Sequence, residues 1–312
     1  MDDVIVIGAG PAGLAAANYT ARHHLKTRVI APDLAGKAAY RLRLPWLHEQ
    51  ESITGEETVE RLRQQLLDAP QVTRYMDSVE QVFRHDDTFQ VHTTDGGVFD
   101  SHTVIVATGV SPRALGVPGE QRLLGYGLSY SATSHAPLFA TRRVVVVGDN
   151  LRALRAAAEL RTIAEHVTLV APEQFGVSGF TLGRNLLDDH RVTALVHHRV
   201  VEITGERYVS GVVVAGPDGA QLRIPAEGVF IENGLIAHTG FVGALVERTP
   251  SGHIAVDDDC ATRCAGLFAA GDITSTAGAE QILIALGEGV KAGVGASTYL
   301  REVALIQKAV PG

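Results

Sequence analysis

The stretch DVIVIGAGPAGLAAA, residues 3–17, decides the fold of this chain. Its apolar run Val4–Ile7 predicts a strand that is buried on both faces of a parallel sheet. Gly8 permits a tight turn after the strand, Gly10 lets the backbone approach a pyrophosphate, and Gly13 lets the next helix pack closely on the strand. Because the free N–H groups at the start of a helix attract phosphates, this stretch predicts a dinucleotide site.

The composition is that of a soluble α/β protein with room for two domains: 312 residues, 46% hydrophobic and 20% charged. A net charge of −8 argues against nucleic acid and anionic membranes as partners. No apolar run approaches ~20 residues, so we expect no membrane span, and because a strand begins by Val4 we expect no signal peptide. Two cysteines, Cys260 and Cys264, cannot form a disulfide framework, which favours a cytoplasmic location.

The opening pattern recurs in the middle of the chain. Val144–Val147 predicts a buried strand, and Gly148-Asp149-Asn150 leads into a helix that extends through Arg161. We therefore predict an α/β fold of two Rossmann-like (three-layer ββα-type) dinucleotide-binding domains, the second inserted into the first. The other predicted elements are helices at 14–24, 58–67 and 279–299, and strands at 27–30, 88–93, 102–106, 167–170, 193–196, 211–214, 228–231 and 266–272.

An acidic residue near the end of the second strand usually holds a ribose hydroxyl in such folds. Ala31 stands at the expected position, and Asp33 follows two residues later, past a proline. Asp33 is therefore either a ribose ligand with altered geometry or a solvated loop acid.

Five places in the chain together resemble the low-molecular-weight thioredoxin reductases, over nearly its whole length. They are GAGPAGLAAANYTARHHLKT (8–27), ITGEETVERLR (53–63), ATGVSPRALGVPGE (107–120), GLSYSATSHAPLF (127–139), and GLFAAGDITS with EQILIALGEG (266–275 and 280–289). The resemblance implies a flavoprotein of the pyridine nucleotide-disulfide oxidoreductase type that forms a homodimer. It also implies a discontinuous FAD-binding domain, residues 1–114 and 240–312, around an NAD(P)H-type domain, residues 115–239.

The same resemblance implies which residues meet FAD. Gly271 and Asp272 are expected at its ribityl or phosphate region, although GLFAAGD alone also suits a core strand with a capping aspartate. The helix that starts near Glu280 is expected to face the isoalloxazine, where its positive end would stabilise a reduced flavin. The full set of candidates is Gly8, Gly10, Pro11, Ala12, Gly13, Asp33, Thr108, Gly109, Gly271, Asp272, Glu280, Gln281 and Ile282.

The redox loop departs from the family pattern. Relatives read Cys-Ala-Thr-Cys-Asp, whereas this chain reads Ser131-Ala132-Thr133-Ser134-His135. Because a hydroxyl can neither attack nor form a disulfide, we do not expect a functional NADPH-thioredoxin reductase. No catalytic residue is assigned, and Ser131, Ser134 and His135 simply occupy the loop. His135 is either a proton donor for a bound substrate or an ordinary surface histidine.

The nicotinamide site departs from the pattern as well. Relatives carry G-x-G-x-x-A in the second unit, but here Asn150 replaces the middle glycine and Asp149 adds negative charge beside the phosphates. The basic cluster that grips the 2′-phosphate of NADPH is replaced by residues 171–174, APEQ, which offer no cation. NADPH is therefore not expected as a substrate, whereas Glu173 leaves NADH open.

Two features leave alternatives open. Cys260 and Cys264, spaced C-x3-C, are either a replacement redox pair or one loop thiol and one packed cysteine, and no metal site is expected. Trp46, with Tyr40 and His48, either fences the isoalloxazine or packs in an ordinary core.

Two classes of function remain. The first, which the retained flavin motifs favour, is an FAD-dependent oxidoreductase that takes electrons from ferredoxin, flavodoxin, NADH or a small molecule rather than from NADPH. The second is a non-catalytic FAD-binding or redox-sensing protein. A relative of the ferredoxin/NAD(P)H-dependent flavin reductases would also lack the dithiol, but it should retain NADPH contacts.

Overall fold

A computed structural model describes residues 1–34, 36–39, 42–47, 55–276 and 280–309. The strands are β1 (Asp2–Ile7), β2 (Thr27–Ile30), β3 (Val72–Tyr75), β4 (Val79–His85), β5 (Thr88–Thr93), β6 (Val98–Val106), β7 (Val110–Pro112), β8 (Leu128–Ser129), β9 (Arg143–Val147), β10 (His166–Ala171), β11 (Val192–Val196), β12 (Arg199–Thr204), β13 (Gly211–Ala215), β14 (Gln221–Pro225), β15 (Gly228–Ile231), β16 (Leu235–Ala237) and β17 (Leu267–Ala269). The α-helices are α1 (Pro11–Arg22), α2 (Glu56–Asp68), α3 (Glu120–Leu123), α4 (Ala132–His135), α5 (Leu151–Leu160), α6 (Gln174–Gly179), α7 (Thr181–Leu187) and α8 (Ile282–Ala309). Short 3-10 turns cover Gly36–Ala39, Ala136–Phe139 and Gly240–Leu245.

The chain folds into two compact units. Unit 1 comprises Met1–Ala39, Thr54–Ser111 and Ile236–Gly312, and unit 2 comprises Tyr40–Ile53 and Pro112–Leu235. Most of unit 2 therefore lies in sequence between segments of unit 1, as in the predicted inserted arrangement.

The sheet of unit 1 is built around β1. Parallel pairing gives the order β3-β2-β1-β6-β17, with β1 between β2 and β6. The first half of β6 also pairs antiparallel with β5, which pairs with β4, so an antiparallel arm extends the sheet. Since the parallel strands run the same way, the residues that follow β1, β6 and β17 meet at one edge.

Side chains alternate between the two faces of this sheet. Val4 and Val6 face a core shared with Leu14 of α1 and Ala292 of α8, whereas Ile5 and Ile7 face a separate core on the other side. Helices α1 and α8 pack closely. Gly289 makes this contact possible, since a Cβ there would lie 2.1 Å from the carbonyl oxygen of Ala12.

Unit 2 repeats the same plan. Its parallel sheet has the order β11-β10-β9-β15-β8, so β9 takes the central place that β1 has in unit 1. A separate antiparallel sheet, β12-β13-β14, accompanies it. The main core of unit 2 contains the fully buried side chains of Phe139, Leu154 and Phe230. The predicted α/β fold class is confirmed.

Several predicted elements differ at their ends. Helix α1 begins at Pro11 rather than Leu14, because proline suits a first helical position that needs no N–H partner. The predicted strand 266–272 is shorter, because Gly271 adopts φ +79° and turns the chain after β17. Helix α8 begins at Ile282, and the predicted start, Ala279, lies outside the described residues. The helix continues to Ala309, since no glycine or proline interrupts its last turns.

Helix α8 has 28 residues and is the longest helix of the described chain. Glycines interrupt its apolar side, and charged residues follow towards its end. Within the described ranges, no helix combines the length and apolar character needed to cross a membrane.

Candidate functional site

The glycine loop between β1 and α1 has the close packing that the sequence predicts. Gly8 adopts φ +104°, and a Cβ there would lie 2.4 Å from the carbonyl oxygen of Ala107. A Cβ on Gly13 would lie 1.9 Å from the carbonyl oxygen of Gly8. A Cβ on Gly10, by contrast, would meet no protein atom within 4 Å. Gly10 therefore leaves open backbone where a ligand phosphate can approach.

The start of α1 suits an anion. Gly10 is its N-cap and supplies no side-chain hydrogen bond to the first amides, and Pro11 follows at the first helical position. In a helix of 12 residues, such amides carry the positive end of the helix dipole. The loop and helix start therefore fit the pyrophosphate of a dinucleotide.

The other candidate residues of unit 1 gather at the same edge of the sheet. Thr108 and Gly109 follow β6, and Gly271 and Asp272 follow β17. A Cβ on Gly271 would lie 2.9 Å from the Cβ of Ala12, which places this turn against the start of α1. Ala12 itself is buried, and Glu280, Gln281 and Ile282 are partly exposed at the start of α8.

Asp33 has a structural partner in its own loop. Its Oδ1 accepts a hydrogen bond from the backbone N–H of Gly36 at 2.7 Å. One carboxylate oxygen thus holds the turn Gly36–Ala39, and a Cβ on Gly36 would lie only 3.2 Å from the Cα of Gly10. Asp33 shapes the segment that lies against the glycine loop, and its role at a ribose remains a prediction.

Sequence reasoning missed a charged cluster beside this loop. Lys37 lies with its Nζ 2.7 Å from Oδ2 of Asp272 and 2.6 Å from Oε1 of Glu280. Burial lowers the pKa of Lys37, but the charges of Glu280 and Asp272 outweigh it and raise the pKa above its ordinary value. Lys37 therefore stays protonated at neutral pH. The only feature that marks Lys37 in the sequence is that no other lysine lies between Lys26 and Lys291.

Glu288 is a second residue that the sequence did not single out. It lies on α8, and its Oε2 accepts from the backbone N–H of Gly271 at 2.7 Å. The hydroxyl groups of Thr274 and Thr276 lie 3.3 Å from the same carboxylate. Glu288 thereby holds the turn that presents Asp272.

The counterpart loop in unit 2 is closed by its own side chain. Asn150 is the N-cap of α5, and its Oδ1 accepts from the backbone N–H groups of Arg152 at 2.9 Å and Ala153 at 3.1 Å. Its Nδ2 donates to the backbone carbonyl of Glu232 at 3.0 Å. The amides that would receive a phosphate are therefore already satisfied within the protein.

A buried carboxylate lies at the same place in unit 2. Glu232 is 1% exposed, and its Oε1 accepts from the backbone N–H of Ala132 at 2.6 Å. Its Oε2 forms an ion pair with Nε of Arg152. Nearby, Asp149 accepts a hydrogen bond from the backbone N–H of Glu173 at 3.2 Å. Asp149 thus adds negative charge near the start of α5, and Glu232 is paired with the cation of Arg152.

The serine loop forms a local hydrogen-bonded turn in unit 2. Ser131 caps α4, with its Oγ accepting from the backbone N–H of Ser134 at 3.3 Å. The two serine hydroxyl oxygens lie 3.2 Å apart. Nδ1 of His135 lies 2.7 Å from Oγ of Ser129, so a hydroxyl orients the imidazole.

The two cysteines face different cores. Cys260 is buried in the core that contains Phe268, and Cys264 packs against the core that contains Leu267, on the other face of the sheet. Both are free thiols. Burial raises the pKa of Cys260 to about 11, whereas Cys264 lies with its Sγ 3.1 Å from Nη1 of Arg84. This arrangement favours the interpretation of two separate thiols over a redox pair.

Trp46 packs in an ordinary core. Its Nε1 donates to the carbonyl of Leu138 at 2.8 Å, and its ring meets Phe139 edge to face at 5.8 Å between centroids. The guanidinium of Arg142 lies 4.4 Å from the ring centroid. Tyr40 and His48 lie outside the described residues.

Comparisons with known proteins agree with this architecture. The family described as pyridine nucleotide-disulphide oxidoreductase matches residues 2–290. The crystal structure of thioredoxin reductase from Streptococcus pyogenes MGAS5005 is 30% identical, with a TM-score of 0.87 over 97% of this chain and 99% of that one.

Two curated relatives are each 33% identical over 96% of the chain. They are an NADH dehydrogenase of Bacillus subtilis (strain 168) and an alkyl hydroperoxide reductase component of Xanthomonas campestris pv. phaseoli. The chain spans only 58% and 57% of their lengths. The resemblance to thioredoxin reductases is confirmed, and the chain belongs to the pyridine nucleotide-disulphide oxidoreductase family.

Proposed function

We propose that this protein is an FAD-dependent oxidoreductase that takes electrons from a donor other than NADPH and does not use a CxxC dithiol. Unit 1 is proposed as the FAD-binding domain and unit 2 as a degenerate NAD(P)H-type domain. One contrast carries the proposal: the loop at Gly10 is open, whereas Asn150 closes the equivalent loop with its own side chain.

The residues of unit 1 fit FAD. The backbone from Gly10 to Gly13 would bind the pyrophosphate, and Asp272 would bind the ribityl region. The segment at Gln281 would lie beside the isoalloxazine. Bound FAD would supply two-electron transfer chemistry, while the protein binds and orients it and tunes its charge environment.

Four features of unit 2 oppose the binding of NADPH. The amides at the start of α5 are satisfied by Asn150, and the carboxylate of Asp149 would repel phosphates. Arg152, which could attract a phosphate, is engaged by Glu232. Residues 171–174 contain no arginine or lysine to pair with a 2′-phosphate.

The absence of a dithiol at the redox loop supports direct exchange between the flavin and its partners. Ser131 and Ser134 cannot relay electrons, and Cys260 and Cys264 face different cores. The donor is proposed to be a redox protein of the ferredoxin or flavodoxin kind or a small molecule. The name of the Bacillus subtilis relative makes NADH a donor that the test must include.

An anaerobic titration tests the proposal. The purified protein is loaded with FAD, and its flavin absorbance is followed as NADPH, NADH or a reduced ferredoxin is added. We expect a stable flavin spectrum that NADPH at micromolar concentration does not bleach and that one of the other donors does. Rapid bleaching by NADPH would contradict the assignment of unit 2, and failure to take up FAD would contradict the whole proposal.

A non-catalytic FAD-binding or redox-sensing protein is the alternative outcome. It is supported by the same pairing of an open Gly10 loop with a closed Asn150 loop. Reduction by none of the donors, or reduction without transfer to any acceptor, would favour the sensor over the enzyme.

We also propose a homodimer, as the resemblance implies. Leu283, Val290 and Val294 share one side of α8, and their exposed fractions are 54%, 40% and 40%. An apolar stripe of this kind suits an isologous contact with a second copy. Light scattering should give the mass of two chains, and Val290→Lys should shift it towards one.

A further inference from the structure

We infer that Lys37 is a positioning residue of the proposed FAD site: it offsets part of the negative charge of Asp272 and Glu280, so that the site accepts the negative charge that reduction adds to the flavin. The inference rests on the proposed function in one respect, that FAD occupies unit 1. The inference goes beyond the proposed function by assigning a role to a residue that no motif identifies.

The geometry brings three distant segments to one ammonium group. Lys37 lies on the turn Gly36–Ala39, Asp272 follows β17, and Glu280 precedes α8. The ammonium lies within 2.7 Å of both carboxylates. The side chains of Asp272 and Glu280 are only 15% and 12% exposed, so water screens them poorly. Loss of the lysine charge would therefore make this cluster more negative by one unit.

The cluster lies beside the loop that is proposed to bind the pyrophosphate of FAD. A Cβ on Gly36, the neighbour of Lys37, would lie 3.2 Å from the Cα of Gly10, so the turn is packed against the open phosphate loop. Asp272 and Glu280 belong to the two segments proposed to meet the ribityl chain and the isoalloxazine. The added negative charge there would disfavour the pyrophosphate and, more strongly, a reduced anionic flavin.

The raised pKa of Lys37 adds a second line of support. A lysine that lost its proton at working pH could not cancel either carboxylate. Because the carboxylates outweigh the effect of burial, the cation persists throughout the neutral range. Its charge is therefore a constant feature of the site rather than a switch.

The test compares Lys37→Met and Lys37→Arg with Lys26→Met. Lys26 is a matched control, because it also pairs with a buried carboxylate, that of Asp2 at 3.4 Å, but at the opposite end of β1. Two quantities are measured: the Kd for FAD, by titration of the FAD-free protein, and the midpoint potential of the bound flavin, by equilibration with a reference dye.

We expect Lys37→Met to raise the Kd by about tenfold and to lower the midpoint potential by about 30 mV. The shift in potential corresponds to a further tenfold loss of affinity for the reduced form relative to the oxidised form of a two-electron couple. Lys37→Arg should restore most of both values, and Lys26→Met should change neither.

The outcomes separate this inference from the function on which it rests. A wild-type protein that takes up no FAD overturns both. A wild-type protein that binds FAD, beside a Lys37→Met variant with an unchanged potential, overturns the inference alone, even if its Kd has risen. Should Lys37→Met fail to fold, Glu280→Gln decides: removing one carboxylate should raise the midpoint potential, and an unchanged or lower value overturns the inference.

Discussion

The side-chain amide of Asn150 donates to the backbone carbonyl of Glu232 at 3.0 Å, which ties the start of α5 to the end of β15. The same side chain caps α5. In unit 1 the equivalent position is Gly10, whose surroundings are open. A single side chain therefore satisfies helix amides in unit 2 that receive no side-chain hydrogen bond from the equivalent glycine in unit 1.

Asn150→Ala should lower the free energy of unfolding of unit 2 by about 1 kcal/mol, because two helix amides and one carbonyl lose their partner. Urea denaturation followed by tryptophan fluorescence measures this directly. Trp46 is the single tryptophan of the chain and packs in the core of unit 2, so it reports on that unit.

Asn185→Ala is the matched control for this prediction. Asn185 is exposed within α7, where alanine is the better helix former, so the change should be neutral or slightly stabilising. Equal losses of stability in the two variants would contradict the capping role of Asn150.

Gly10→Ala should impair FAD binding without destabilising the fold. A methyl group there meets no protein atom within 4 Å, but it occupies the space through which a pyrophosphate reaches the backbone. We expect an unchanged melting temperature for the FAD-free protein and a Kd for FAD raised by about tenfold or more. Calorimetry and FAD titration provide the two measurements.

Gly287→Ala controls for the added methyl group. Gly287 lies within α8, and a Cβ there also meets nothing within 4 Å. Alanine should stabilise the helix by up to about 1 kcal/mol and leave the Kd for FAD unaltered. If Gly10→Ala also left the Kd unaltered, Gly10 would not be the point of phosphate approach.

Gly13→Ala should destabilise the fold whether or not FAD is bound. Its Cβ would lie 1.9 Å from the carbonyl oxygen of Gly8, so α1 must move away from β1. Overpacking of this kind costs about 1–3 kcal/mol, which should appear as a lower melting temperature even without FAD. A melting temperature equal to that of wild type would show that the strand and helix are not in the described contact.

Sequence reasoning succeeded where the local backbone conformation or a close contact admits only one residue type. Gly8 and Gly13 were predicted because only glycine permits their turn and close contact. The sequence alone also shows that a side chain stands at Asn150, whereas its effect on NADPH binding stays a prediction. The hydrogen bond from Asn150 to Glu232 could not be predicted, because it depends on β15 lying beside β9.

The Lys37 cluster shows why the rest could not be predicted. Lys37 and Glu280 lie 243 residues apart in sequence, and only the packing of separate segments at one sheet edge joins them. Likewise, Cys260 and Cys264 are close in sequence, and no periodic pattern indicates that the chain between them turns to place the thiols on different faces.

Alkylation should distinguish the two cysteines. At pH 8, iodoacetamide should modify Cys264, which is partly exposed, well before Cys260, which is 2% exposed and has a raised pKa. Peptide mapping by mass spectrometry identifies the modified residue, and denatured protein supplies the control in which both react. Faster modification of Cys260, or a disulfide between the two residues, would instead support the interpretation of Cys260 and Cys264 as a redox pair.

The buried thiol of Cys260 should also make stability depend on pH at the alkaline end. Burial, with a smaller contribution from the charge of Glu288, raises its pKa from 9.0 to about 11. Between these values the unfolded chain loses a proton that the folded protein keeps, so deprotonation favours unfolding. The contribution to stability is thus fully present below pH 9 and is lost as pH rises towards 11, by on the order of 2 kcal/mol.

Because lysines and tyrosines titrate in the same range, the informative quantity is a difference between proteins. The free energy of unfolding of the FAD-free protein is measured in urea at several values from pH 8 to 11, for wild type, Cys260→Ala and Cys260→Ser. Each variant loses stability at every pH through altered packing, but neither has a thiol to titrate. The gap between wild type and both variants should therefore narrow as the pH rises, whereas a constant gap would mean that the Cys260 thiol titrates alike in the folded and unfolded chain.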